Sequence, residues 1–498
     1  MQYLPDAKQM KEADQYTIRT LGVPSLDLME RAAKACVRVM KEQGIDVKRP
    51  LIVCGSGNNG GDGLAIARLL AKEGSEVTAV MAGNPDHYTE ETKAQAEQLG
   101  KAGVSLKDAL PLDEYTVVID ALLGVGLSRE VKGNYADTIE KMNLLSGRKV
   151  AVDIPSGISA DSGQVLGTAF LADLTVTFQA VKRGLLLYPG QTYAGEIFPE
   201  DIGVNTDLFA PDMEVAGKPD AYAPLLPSRP ADSNKGTFGK LLVIAGSKGM
   251  SGAAYFNAAA AYRCGAGLVR VYTDPSNREI LQTLLPEAII TTYSAYEEEE
   301  ILRLVKWADA ICLGSGIGQK DPAPQIVSAV LSHAEVPMLV DADGLNILAG
   351  DREILTHIRH TNYIFTPHMK EMSRLTRMGV EEIKADRFGV LKDFTDQYGI
   401  TCILKDSRTV IQTGGGRPYI NTTGNAAMAK GGSGDVLAGI TAGLLAQGLT
   451  CTDASLLGAY LQGRCGDAAK EEKGSYSVLA RDLIESLSTV LKEEEKKC

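Results

Sequence analysis

Two glycine-dense turns carry most of the chemistry that can be read from this sequence. The first, Gly55 to Gly63, reads GSGNNGGDG and runs into the helical stretch LAIARLLAKEG. Such a turn presents unpaired backbone amides and the positive end of a helix, a cradle for phosphate or another anion. It is neither GxGxxG with a distant ribose-binding acid nor a P-loop, because no lysine follows the glycines. Glycine content by itself also fits a tight turn with no ligand. Asn58, Asn59 and Asp62, crowded around Gly60 and Gly61, suit ligation better than turning. Two further apolar runs end in Asp120 (VVIDALLG) and Asp153 (VAVDIPSG). Each aspartate alone reads as readily as a helix cap or Asx turn, but three such tips together favour a site. Asn59, Asp120 and Ser156 could offer oxygen donors to a hard cation or a hydroxylated ligand without a His or Cys cage. The loop Gly124, Val125, Gly126, Leu127, Ser128, Arg129, Glu130 could cover a second phosphate.

The second turn lies in NTTGNAAMAKGGSGDVLAGITAGLLAQG, Asn421 to Gly448, where Gly431, Gly432 and Gly434 lead into a helix with Asp435 at its start. Free amides there could stabilise charge on a transferring phosphoryl group while Asp435 faces the acceptor hydroxyl as base. An aspartate in a first helical turn is ordinarily a dipole-stabilising residue. GGSGD ahead of an apolar, small-residue helix is less generic, and the anion-hole reading is preferred. Upstream, in AGSKGMSGAAYFNAAAAYR, the loop Gly246 to Ala253 is a candidate site, and Ala258 to Ala261 predict tight helix-on-sheet packing. Of the five histidines only His368 follows a strand beside another motif. His357 and His360 share a helical spacing, but with no third ligand near them zinc is not expected.

These residues need a scaffold that brings strand ends together. On both sides of a proline-rich, aperiodic stretch from Leu208 to Gly239, short β-branched runs alternate with helical ones. They are PLIVCG, SEVTAVMAG, TVVIDALLG and KVAVDIPSG before it, then KLLVIAGS, GLVRVYT, AICLGSGIG, PMLVDADG, YIFTPH and ITCILKD. The pattern predicts two α/β domains with mainly parallel sheets and ligands at the carboxyl ends of the strands. The length of 498 residues supports two cores, and 44% hydrophobic with 23% charged residues excludes a disordered chain. Lys+Arg 51 against Asp+Glu 63, a net charge of -12, leaves phosphate to local amides and isolated cations and argues against nucleic acid. No apolar run approaches the ~18 residues of a membrane span. Eight scattered cysteines without a CxxC pair, and an N-terminus without a signal-peptide pattern, predict reduced core thiols and a cytoplasmic location.

NNGGDG, DALLGVG and DIPSG resemble the signature segments of the NAD(P)H-hydrate epimerase family over residues 1–212. The resemblance implies an N-terminal Rossmann-like three-layer domain. It further implies substrate contacts from Asn58 to Asp62, Gly124 to Glu130 and Asp153, with K+ held by Asn59, Asp120 and Ser156. GGSGD resembles the ribokinase superfamily; with AGSKGMSGA, GSGIG, DADGLN and TPH it is most similar to the NAD(P)H-hydrate dehydratase branch, over about residues 225–490. That implies a ribokinase-like α/β domain with hydrate contacts from Ala253, Gly316, His368 and Asp435. Nucleotide contacts would come from Lys405, Asp406, Ser407, Arg408, Thr409 and Gly434, with Mg2+ and with ADP as phosphoryl donor. Two departures mark where the likeness is weakest: Met369-Lys370 where the family has Pro-Gly, and Asp406 where it has glycine.

The expected organisation is an epimerase domain 1–212, a linker 213–224 and a dehydratase domain 225–498. The first would interconvert the R and S epimers at C6 of the hydrated cofactors NADHX and NADPHX. That carbon is a carbinolamine, so it can invert by C–O or C–N cleavage, with Asp153 shuttling the proton. The second would dehydrate the S epimer with ADP, releasing AMP and phosphate, with Asp435 removing the C6 hydroxyl proton. The expected partners are these small molecules, in a homo-oligomer, with neither nucleic acid nor membrane. The competing reading keeps the fold but makes the second half a kinase of a small alcohol fused to a non-catalytic nucleotide-binding module.

Overall fold

The structure, a computed structural model, describes residues 2–111, 113–206, 214–216, 222–358 and 361–497. It divides into two compact units, 3–214 and, together with 1–2, 215–498. Half of the expected linker 213–224 (213 and 217–221), His360, the side chain of His357 and Cys498 lie outside the described residues. The seven described cysteines are free and buried.

The first unit opens with α1 (Ala7–Arg19), started by a capping box in which Asp6 Oδ1 accepts from Gln9 N at 2.7 Å and Gln9 Oε1 accepts from Asp6 N at 2.9 Å. Helix α2 (Ser25–Glu42) buries Leu28, Met29, Ala32, Cys36, Val39 and Met40 along one face. There follow β1 (Pro50–Cys54), α3 (Asn58–Lys72), β2 (Thr78–Met81), β3 (Leu106–Lys107), β4 (Val117–Ala121), β5 (Arg148–Val152), β6 (Leu174–Phe178) and β7 (Glu196–Glu200). The sheet order is β3-β2-β1-β4-β5-β6-β7, parallel throughout. Alternate strand residues serve the two faces: Ile52, Cys54 and Ile119 join the core under α2 and α3, while Leu51, Val53 and Val118 pack with Ile139 and Met142 on the other side. The order reverses between β1 and β4, so the loops leaving their carboxyl ends diverge and open a crevice.

The second unit contains β8 (Lys240–Ile244), α4 (Ser251–Arg263), β9 (Leu268–Thr273), β10 (Ile289–Thr292), β11 (Ala310–Leu313), β12 (Met338–Val340), β13 (Tyr363–Phe365), α5 (Met369–Thr376), β14 (Thr401–Leu404), β15 (Val410–Thr413), β16 (Tyr419–Ile420) and α6 (Ser433–Ala446). From residue 240 onward its strands run β16-β15-β14-β13-β12-β11-β8-β9-β10, and Glu214–Ala216 pairs in parallel beyond β16. All neighbours are parallel except β14 with β15 and β15 with β16, which form antiparallel pairs. Here the order reverses between β8 and β11. The small residues of α4 do more than the helix-on-sheet packing expected of them, because they also face α6. A Cβ on Gly439 would lie 2.4 Å from Asn257 O, so only glycine lets the two helices approach this closely.

The mixed α/β architecture with parallel sheets agrees with the sequence reading. Strands β3, β6, β7, β10, β15 and β16 were not expected. LTVTF in β6 alternates with threonines that are themselves buried, and Pro199 in β7 reads as a breaker but is tolerated because β7 is an edge strand.

Candidate functional site

In the first unit a cavity of about 610 Å³ sits at the reversal between β1 and β4. Asn58, Asn59 and Asp62 line it from the start of α3, residues 124–129 from the loop after β4, and Asp153 from the tip of β5. Gly60, Gly61 and Glu130 do not. A Cβ on Gly60 would lie 1.8 Å from Gly55 O, and one on Gly61 would meet the Met29 side chain at 2.6 Å. These two glycines therefore seat α3 against the strand end and α2, and the ligand is left to their polar neighbours. Glu130 pairs with Lys132 at the surface.

Asp153 sits at φ 67°, an uncommon conformation for a residue with a side chain, which turns its carboxylate into the unit. Its Oδ1 accepts from Phe178 N at 3.0 Å, from Thr177 Oγ1 at 3.3 Å and from the Lys182 ammonium. Lys182 is almost wholly buried and also donates to Phe178 O at 2.8 Å. Two further acids face the same cavity: Asp62, whose carboxyl burial holds well above the usual range, and Asp14 of α1, pushed up to about 6. For Asp14 burial is the main cause, reinforced by the charge of Asp153 and opposed by Lys182.

Asp120 is fully buried at the end of β4. Its Oδ2 accepts from Ser156 N at 2.7 Å, and its Oδ1 accepts from Ser156 Oγ at 2.6 Å and Leu122 N at 3.1 Å. Asn59 Nδ2 donates to Leu123 O at 3.0 Å, and Leu123 N donates to Ser156 Oγ at 2.9 Å. The three expected cation ligands thus meet around residue 123. Burial lifts the Asp120 carboxyl to about 6 despite those hydrogen bonds, and no cationic side chain faces it among the described residues. One carboxylate, a hydroxyl, a carboxamide and nearby main-chain carbonyls make an oxygen set that fits a weakly charged, loosely coordinated ion such as K+.

In the second unit the loops after β8 and β11 meet at the reversal point: Ser247 N donates to Gly316 O at 2.6 Å, and a Cβ on Gly316 would lie 3.0 Å from that of Ala253. Helix α6 starts beside them from Gly432, at φ 93°. The amides of Gly434 and Asp435 make no hydrogen bond to the turn before them among the described residues, so they remain open to an anion. Asp435 is pushed up to about 6, by burial first and then by Asp341, with Lys405 pulling it down. Lys405 Nζ lies 2.6 Å from Asp341 Oδ1 and 3.4 Å from where a Cβ on Gly434 would be. It joins the buried Asp341 to the open end of α6.

The remainder of the expected nucleotide loop is engaged elsewhere. Asp406 pairs with the buried Arg387 at 3.4 Å, Arg408 Nη1 donates to Thr422 O at 3.0 Å, and Ser407 and Thr409 complete the turn between β14 and β15. His368 caps α5, its Nδ1 accepting from Lys370 N and Glu371 N at 3.1 Å each, while Glu371 returns a bond to His368 N at 2.8 Å. Glu371 is accordingly a buried capping residue.

Sequence reasoning did not single out Asp14, Lys182 or Asp341. Asp14 carried a signal: it stands between Met10 and Ile18 at helical spacing, an acid in a stripe that lines the cavity. Asp341 opens the DADGLN segment but was given no role of its own, and Lys182 carried no signal beyond lying after an apolar run.

Residues 241–489 match the NAD(P)H-hydrate dehydratase family, and residues 25–184 match the YjeF-related protein N-terminus. The bifunctional NAD(P)H-hydrate repair enzyme Nnr of Coxiella burnetii is 36% identical over 99% of this chain and 100% of its own. Its counterpart in Escherichia coli is 33% identical over 98% and 94%. The crystal structure of the ADP/ATP-dependent NAD(P)H-hydrate dehydratase from Bacillus subtilis, co-crystallised with ATP/Mg2+, superposes with a TM-score of 0.51 at 31% identity, over 57% of this chain and 99% of that one. The chain belongs to the bifunctional NAD(P)H-hydrate repair enzyme family.

Proposed function

We propose that this chain returns hydrated nicotinamide cofactors to use in two steps, with epimerisation at C6 assigned to residues 1–212 and nucleotide-dependent dehydration to residues 225–498, joined by 213–224. The observation that carries the reading is Asp435 on the open end of α6, beside the Lys405–Asp341 pair, in a chain similar end to end to enzymes of that name.

In the dehydration, Asp435 takes the proton of the C6 hydroxyl as that oxygen attacks the terminal phosphorus of the donor. With ADP as donor, AMP departs. The amides of Gly434 and Asp435 and the Lys405 ammonium face the charge that builds on the transferring group. The ring nitrogen then expels phosphate from C6, and loss of a proton from C5 restores the dihydropyridine. Mg2+, when bound with the donor, would supply charge neutralisation on its phosphate oxygens, finding protein oxygens at Asp341 and at Asp343, whose Oδ2 accepts from Gly318 N at 2.9 Å after β11. A carboxyl near 6 suits Asp435 as a base at neutral pH.

In the first unit, Asp153 stands ready to exchange a proton with the C6 hydroxyl, held in place by Lys182, Thr177 and Phe178 N. The free start of α3 and the loop 124–129 would seat the dinucleotide phosphates. K+, held by Asn59, Asp120 and Ser156, would supply fixed positive charge beneath that loop. The test is incubation of acid-hydrated NADH epimers with protein, K+, Mg2+ and either ADP or ATP, following recovery of the reduced-nicotinamide absorbance and the nucleotide product. Complete recovery from both epimers supports the reading. A stable phosphorylated alcohol in its place would make the second unit a kinase.

A further inference from the structure

We propose that Asp14 of α1 is the second proton-transfer group of the epimerase site, working opposite Asp153. This rests on the epimerase reading of the first unit and adds to it a residue from a helix that carries no recognisable motif.

Four acids reach the cavity, and they differ in what already holds them. Asp153 Oδ1 is engaged by Lys182, Thr177 and Phe178 N, and Glu91 Oε1 accepts from Ser25 Oγ at 2.8 Å. Asp14 and Asp62 have no hydrogen-bond partner among the described residues. A carboxyl largely removed from water and left unpaired destabilises a fold, so it persists where a ligand supplies the missing partner. Burial, with the charges of Asp153 and Asp14, holds the Asp62 carboxyl well above the usual range. Asp14, near 6, can give and take a proton under working conditions. The charged or titratable groups that share the cavity with it are Lys11 on its own helix, Asp62 of α3, Glu91, Arg129 of the loop after β4, Tyr135, Asp153 at the tip of β5 and Lys182 after β6.

The chemistry calls for two such groups. In ring opening, Asp153 accepts the C6 hydroxyl proton while the C6–N1 electron pair withdraws onto N1, and Asp14 delivers its proton to N1. The open form is an aldehyde at C6. Rotation about C5–C6 turns its other face to N1, which adds back to the carbonyl carbon. Asp153 then returns its proton to the oxygen and Asp14 recovers its own from N1. Every atom and proton is accounted for, and both carboxyls end as they began. Cleavage of the C–O bond would instead leave the two carboxyls with their protonation states exchanged.

The test uses the full chain with purified R epimer, K+, Mg2+ and ADP, so that absorbance recovery requires epimerisation first, and purified S epimer as the internal control. With D14N, recovery from R above the spontaneous rate should fall about 100-fold or more, with recovery from S unchanged. D14E should restore part of the loss, and D14N should melt no lower than the parent, because it removes an unpaired, half-buried acid. The parent rate from R should decline as pH rises past about 6, and that limb should be absent from the residual D14N activity. Parental recovery from R by D14N would overturn the proposal. A lowered melting temperature together with equal loss in D14E would also overturn it, by reducing Asp14 to a structural part. If the parent chain itself leaves R at the spontaneous rate, the epimerase reading fails first and this proposal falls with it.

Discussion

Lys405 reaches from the end of β14 to Asp341 at the end of β12, 2.6 Å away, and so sets a buried positive charge against the helix end that carries Asp435. Removing that charge has consequences for both chemistry and folding. K405M should lower the dehydration kcat by about 100-fold or more, in line with loss of a charge-stabilising donor. It should also move the acidic limb of the rate profile above pH 6, since Lys405 lowers the Asp435 carboxyl. Stability should drop by about 3 kcal/mol, because Asp341 is left buried and unpaired. The double variant D341N/K405M should recover stability but not activity. Denaturant titration and a kcat profile against pH measure both effects.

D435N keeps the shape and hydrogen bonding of the helix start but not the base. Dehydration of the S epimer should fall by roughly 1000-fold, while interconversion of R and S, followed chromatographically without nucleotide, proceeds at the parental rate.

Lys182 is the only cation in contact with the Asp153 carboxylate among the described residues. K182M should cost the first unit about 3 to 5 kcal/mol by stranding a buried charge and should push the Asp14 carboxyl above 6, because Lys182 now holds it down. Thermal melts of the variant should show the loss, and melts of K182M/D153N should show most of it restored.

Under the proposed K+ ligation, Asp120 would link the cation to pH. Its folded-state value of about 6 exceeds the ordinary 3.8, so the native state binds the extra proton and this group's contribution to stability declines as pH rises from about 4 to 6. A cation favours the ionised form. The rise in melting temperature on replacing Na+ with K+ should therefore be larger at pH 8 than at pH 5, and absent in D120N at both. An equal rise at the two pH values would remove Asp120 from the ligand set.

Gly63 faces Ala121 Cβ at 2.5 Å and Cys54 Sγ at 2.8 Å from an added Cβ, whereas nothing lies within 4 Å of one on Gly57. G63A should destabilise the first unit by about 1 to 3 kcal/mol, while G57A should leave its melting temperature unchanged. Paired thermal melts of the two variants read the contrast directly.

The fold class was legible because apolar runs of five residues between helical stretches leave little besides a parallel α/β sheet. The first glycine turn and Asp153 pointed, by local grammar alone, to strand tips that line the cavity of the first unit. Three kinds of information were not local. Lys182 lies 29 residues beyond the carboxylate it holds, and Lys405 lies 64 beyond Asp341. Only the strand order makes either pair neighbours. Asp14 sits in a helix whose polarity reads as solvent-facing until α1 is seen to wall the cavity. The glycines of GSGNNGGDG invite one explanation for all of them, yet Gly60 and Gly63 answer to strand and helix contacts while Asn58 and Asn59 face the cavity. Sequence density does not separate the two tasks.

The wedge of α3 against β1 and β4 also limits how this pocket can change. With no room for a methyl group at Gly60 or Gly63, drift toward other ligands has to be written into residues 124–129, the inward stripe of α1 and the polar neighbours of those glycines. A designer seeking a new ligand would randomise those positions and leave Gly55, Gly60 and Gly63 untouched.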